Sequence, residues 1–71
     1  MTPKQFKKWR RINGFKSQAE AAKALGVSRD TIVNYENGVR RDNPSKTVEI
    51  PKSIELACAA LQVGITEYTE A

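Results

Sequence analysis

Histidine is absent from this chain, and cysteine occurs once, as Cys58. One thiol cannot close a disulfide. Without imidazoles or a second thiolate there is no ligand cluster of the kind that holds zinc, so neither a metal nor an oxidising compartment is indicated. No histidine, one cysteine and no carboxylates paired on a common face leave no catalytic set, so no enzyme, cofactor or small-molecule ligand is expected. No apolar run approaches the ~18 residues of a membrane span, and the charged N-terminus does not read as a signal peptide. These absences point to a cytoplasmic protein that does not contact membranes. What remains is one small domain over residues 1–71. A chain of this size buries only roughly 60% of the surface it exposes when unfolded, which makes it marginally stable and gives it something to gain from dimerising.

Charge is unevenly distributed. Residues 1–41 carry ten of the twelve Lys and Arg against three acids, a net of +7, whereas residues 42–71 carry two against five, a net of −3. A basic half suits a polyanion, because neutralised phosphates release counterions and supply most of the non-specific affinity for nucleic acid. A charge excess alone is equally well read as the solvated outer faces of helices.

The clearest local signals lie between Ser17 and Gly38. Ser17 followed three residues later by Glu20 is a capping box and should start a helix with Ala21, Ala22 and Leu25 on one side. Gly26 ends it, since glycine most readily takes the left-handed conformation after a helix. Ser28 caps a second helix, Val27 and Ile32 have the spacing of a hydrophobic staple, and Asn37-Gly38 closes it. With only Gly-Val between them the two helices must cross steeply, and Ala22 brings no bulk to the crossing. Stepping 100° per residue from Ile32 as the inward direction puts Tyr35 and Glu36 inside and Asp30, Val33, Asn34 and Asn37 outside, with Arg29 and Thr31 flanking.

Before this unit, Thr2-Pro3-Lys4-Gln5 opens a helix with a cap, a proline at the first helical position and a capping box, and Met1 and Phe6 again have staple spacing. Phe6, Trp9 and Ile12 form its apolar stripe, and Gly14 stops it. After the unit, residues 38–50 are a polar connection longer than the ~4–6 residue median, with a turn at Asp42-Asn43-Pro44 and a short extended piece at Thr47–Ile50. Pro51 starts the last helix, whose apolar face is Ile50, Ile54, Leu56, Ala57, Cys58 and Leu61. Gly64 ends it, and Cys58 reads as a buried structural thiol. Tyr68 either finishes the core or contributes to a dimer contact. The expected helices are about 3–13, 18–25, 29–37 and 51–63.

The pattern Gln18-x-x-x-Ala22-x-x-Leu25-Gly26-Val27-Ser28-x-x-x-Ile32-x-x-Tyr35-Glu36-Asn37-Gly38 resembles the helix-turn-helix of phage repressor and Cro (Xre-type) DNA-binding domains. Phe6-Lys7-Lys8-Trp9-Arg10 resembles the first helix of that family, while Gly14–Gln18 is one residue longer than its pattern. The resemblance implies an all-α, lambda-repressor-like bundle of four short helices, with five as the alternative. It also implies an ion pair between Arg10 and Glu36, and base contacts from Ser28, Arg29, Asp30, Thr31 and Asn34. Gln18 would bind a phosphate or brace Arg29. Lys8, Lys16, Arg40 and Arg41 are the other phosphate candidates.

The side-chain chemistry suits these roles. Arg29 can fork onto guanine O6 and N7, and Asn34 can pair with adenine N6 and N7. Asp30 has three readings: accepting from cytosine N4, holding Arg29, or stabilising the positive end of its own helix. The function implied is a sequence-specific DNA-binding regulator, a small homodimeric repressor of phage or mobile-element type on a palindromic operator in double-stranded DNA. The alternative is an antitoxin or adaptor module that binds another protein, with DNA binding secondary.

Overall fold

Three of the four helices begin where a side chain satisfies the first free amides, and the last begins after Pro51 without a side-chain cap. In the computed structural model, which describes residues 1–70, the helices are α1 (Pro3–Ile12), α2 (Gln18–Leu25), α3 (Arg29–Asn37) and α4 (Lys52–Gln62). At α1 the Thr2 hydroxyl accepts the Gln5 amide at 3.1 Å, and Gln5 Oε1 accepts the Thr2 amide at 2.7 Å. Ser17 and Glu20 exchange the same pair of bonds at α2, at 3.1 and 3.3 Å. At α3 the Ser28 hydroxyl accepts the Thr31 amide at 3.2 Å. Three ends differ by a residue from expectation. Asn13 leaves the helix and turns its side-chain amide back onto the Trp9 carbonyl at 2.8 Å. Pro51 is the extended residue before α4 rather than its first helical residue, and Val63 lies beyond its end. No fifth helix is present among the described residues, and none of the four is long and apolar enough to cross a membrane.

Seven residues form the core: Phe6 and Trp9 from α1, Ala21 and Ala22 from α2, Ile32 and Tyr35 from α3, and Cys58 from α4. The Phe6 ring packs 5.4 Å from Trp9 and meets Tyr35 edge-on at 5.6 Å, a favoured aromatic geometry. The two small alanines let α2 and α3 approach at the crossing. Val27, partly buried, packs on the cluster that contains Ile32, as the staple spacing requires. Trp9 Nε1 donates to the Cys58 carbonyl at 2.9 Å and so ties α1 to α4. At the same seam Glu55 accepts from Lys52 and from the N-terminal ammonium, each at 2.7 Å. Those two cations hold its carboxyl down at about 2, the Lys52 hydrogen bond contributing most.

Two residues assigned to the core face lie outside it. Ile12 is 68% exposed: the chain turns at Gly14 and returns Phe15 to stack 5.3 Å from Trp9, leaving Ile12 on the rim. Leu56 is 59% exposed because it precedes the inward Cys58 by two residues, about 200° around the helix, whereas Ile54 and Leu61 lie close to its direction. Tyr68, at 88% exposure, does not finish the core.

Burial raises the Cys58 thiol to about 11, with the Glu55 charge adding to the effect. The thiolate is the reactive form, so alkylation near pH 8 should be roughly a hundredfold slower in the native chain than in denaturant. Comparable rates would show that α4 does not cover this thiol.

Gly38 ends α3 at φ +74, and a Cβ there would come within 3.2 Å of Pro3 Cγ. Gly38→Ala should therefore cost about 1–2 kcal/mol in denaturant unfolding, since a left-handed backbone disfavours any side chain and this one also meets a ring. An unchanged midpoint would mean that the α3 end relaxes freely.

Candidate nucleic-acid interface

The turn between α2 and α3 rests on Gly26, at φ +72, and on the bond from the Val27 amide to the Ala22 carbonyl at 3.0 Å. It leaves one side of α3 in solvent. Arg29 and Asp30 are exposed there and Thr31 is half-buried. The Ser28 and Thr31 hydroxyls bond each other at 2.8 Å, which fixes both side chains at the start of the helix. Arg29 makes no hydrogen bond or ion pair among the described residues, so its fork of donors is free.

Behind α3, Glu36 is buried and paired with Arg10, as the resemblance implied. The guanidinium meets both carboxylate oxygens, and its Nη1 donates to the carbonyls of Phe15 at 3.1 Å and Lys16 at 3.4 Å. Those carbonyls belong to the segment that is one residue longer than the family pattern. The extra residue is thus absorbed around Arg10, and one cation fastens α1, the α1–α2 link and α3.

Gln18 is placed differently from one of its expected roles. Its Nε2 donates to Glu36 Oε1 at 3.4 Å, so it braces the ion pair rather than Arg29. The reason is position: Gln18 begins α2 beside the C-terminal end of α3, and Arg29 is seven residues from Glu36, about 10 Å along the helix.

The connection after α3 folds into a small hairpin. Val39 and Thr47 form an antiparallel bridge, the Arg40 amide donates to the Lys46 carbonyl at 2.9 Å, and the Val48 amide donates to the Gly38 carbonyl at 3.0 Å. Asn43 Oδ1 closes its turn by accepting from the Ser45 hydroxyl at 2.6 Å and from the Ser45 amide at 3.3 Å. This hairpin docks on the outer side of α3. Asn34 Oδ1 accepts the Arg41 amide at 2.9 Å, and Asp30 Oδ1 accepts Arg41 Nη1 at 3.0 Å. Asp30 therefore holds Arg41, not Arg29. Arg40 forks onto Asp42 at 3.0 and 2.8 Å. Asp30, Asn34, Arg40, Arg41 and Asp42 line one open cleft. Exposed pairs of this kind contribute ~0–1 kcal/mol each, so phosphates can replace the carboxylates at little cost. The link between Asn34 and Arg41 has no sequence signal, because nothing in the intervening residues announces how the hairpin closes.

The remaining phosphate candidates are dispersed. Lys16 is exposed just before the α2 cap, near Gln18. Lys8 lies apart, lining a groove between α1 and α4 with Gln5, Trp9, Cys58 and Ala59.

No curated protein and no solved structure is similar enough to this chain to count as a match. The helix-turn-helix family does match, over residues 7–48, from within α1 to the end of the hairpin. With more than half of the chain matched and the capped α2–α3 pair in place, the protein belongs to the helix-turn-helix family of phage repressor and Cro (Xre) type, and is a DNA-binding transcription regulator.

Proposed function

We propose that this chain is a sequence-specific regulator that presents α3 to the major groove and binds a palindromic operator as a homodimer, acting as a small repressor of phage or mobile-element type. The observation that carries this reading is Arg29. It stands in the first turn of α3, exposed and with no partner among the described residues, at the end of the helix that meets base edges in this docking geometry. Beside it, Ser28, Thr31 and Asp30 are fixed by short bonds, and Asn34 keeps its amide nitrogen for adenine N7 while its oxygen holds the hairpin. An oxygen with two lone pairs can accept from Arg41 and from adenine N6 together. Lys16, Gln18, Arg40 and Arg41 would take phosphates on either side, and Lys8 would act only at the margin.

A domain this small covers little DNA, so two copies on half-sites one turn apart, ~34–36 Å, are an economical route to specificity. The test is selection of bound duplexes from a random library at about physiological salt, followed by sequencing. The expected result is a two-fold-related motif, with the chain's own promoter the first place to look for it. Absence of any enriched motif, with binding lost equally for all sequences as salt rises, would refute sequence-specific recognition and favour a protein partner instead.

A further inference from the structure

Of the groove-lining cations of α1, only Lys8 has a place in the interface described above, and that at its margin. Lys4, Lys7, Lys8 and Arg11 recur at helical spacing along one shallow groove, and Ile12 lies among them. None of the four is ion-paired among the described residues, and the first nineteen residues of the chain contain no acid. Ile12 is 68% exposed in the middle of this charge, and a phosphate backbone would make no use of it. The groove suits a segment that offers carboxylates on either side of an apolar group.

The other end of the chain offers such a segment. After the left-handed Gly64, at φ +83, the Ile65 amide bonds the Ala60 carbonyl at 2.9 Å. Beyond it, residues 66–70 make no hydrogen bond or ion pair to the body among the described residues, and all are exposed. Tyr68, 88% exposed, lies between Glu67 and Glu70. Because groove and segment are on the same chain, a two-fold axis would seat each segment in the other copy's groove and make every contact twice.

We propose that the α1 groove binds the Glu67–Glu70 segment of a second copy of this chain, with Tyr68 packed on Ile12 and the two glutamates facing Lys4, Lys7, Lys8 and Arg11. This rests on the dimeric part of the reading above and gives that dimer its contacts. Exposed charges carry this contact, so the dimer depends on concentration and on salt.

Sedimentation equilibrium of the full chain tests it, with circular dichroism confirming that each variant keeps its helices. The parent should dimerise. Glu67→Lys with Glu70→Lys, and separately Lys4→Glu with Arg11→Glu, should each weaken the dimer about tenfold or more, since exposed pairs are individually modest but the axis repeats them. A mixture of the two variants should dimerise more tightly than either variant alone, because the unaltered groove of one copy then meets the unaltered Glu67–Glu70 segment of the other. An unchanged dimer in both variants, or failure of the mixture to recover, overturns the proposal while leaving a dimer with other contacts. A parent that is monomeric at every soluble concentration also overturns it. In that case the enriched duplexes show independently whether two-fold binding occurs on DNA.

Discussion

A chain carrying Glu36→Ala should melt on the order of 15 °C below the parent. Glu36 is buried, with its side chain only 3% exposed, and Arg10 meets it with a side chain that is 12% exposed. Removing one member of a buried pair leaves the other charge without its partner, at a cost of about 3–5 kcal/mol. The lower end applies here, because Arg10 keeps the Phe15 and Lys16 carbonyls as acceptors. In a domain of this length each kilocalorie moves the melting midpoint by roughly 4–8 °C, and the total stability is of the order of 5–15 kcal/mol. The loss is therefore a large share of what holds the fold. The mechanism can be separated from simple loss of packing by the double replacement Arg10→Met with Glu36→Leu, which removes both charges and fills a similar volume. It should recover most of the midpoint, since an apolar replacement of a buried pair is often neutral. A double variant that melts as low as the single one would show that the three-way connection made by Arg10, and not the stranded charge, is what the fold depends on.

Arg29→Ala should erase the preference for guanine at the position it reads while leaving the fold and much of the salt-dependent binding intact. The side chain is exposed and bonds to nothing else among the described residues, so its loss costs the folded state little. Its value lies in the fork: a bidentate contact to guanine is worth ~1–3 kcal/mol of discrimination, about five- to 150-fold. On the enriched duplex the affinity should fall by that factor, and on random duplexes by much less, with the salt slope reduced by no more than about one counterion. Arg41→Ala is the contrasting case. Removing a phosphate contact should weaken all sequences alike, and Asp30 would then be left unpaired beside the DNA. Equal losses on specific and random duplexes for Arg29→Ala would remove Arg29 from the reading set.

Several of these assignments were legible before any coordinates. The pairs Thr2/Gln5 and Ser17/Glu20 and the cap Ser28 mark helix starts through bonds made within three residues, and each is formed. Gly26 and Gly38 mark ends through a local backbone preference. The inward set Ile32, Tyr35 and Glu36 follows from helical periodicity alone. Ile12 and Leu56 show where periodicity fails. An apolar residue near the edge of a stripe is buried only if something stands opposite it, and in this chain Phe15 takes the place beside Trp9 while nothing described covers Leu56.

The sequence by itself determined the helix-turn-helix, its family and the side of α3 that faces outward, because caps, glycines and 3.6-residue spacing are short-range and leave a direct trace in the order of residues. Only the tertiary structure decided that Asp30 holds Arg41, that Asn34 anchors the hairpin, that Gln18 braces Glu36 and that Lys8 sits beside α4. Those contacts join residues 11, 7 and 18 positions apart, or different helices. Which polar side chains meet at such separations depends on crossing angles and loop closure, and these are set by packing of the whole core rather than by any local run of residues.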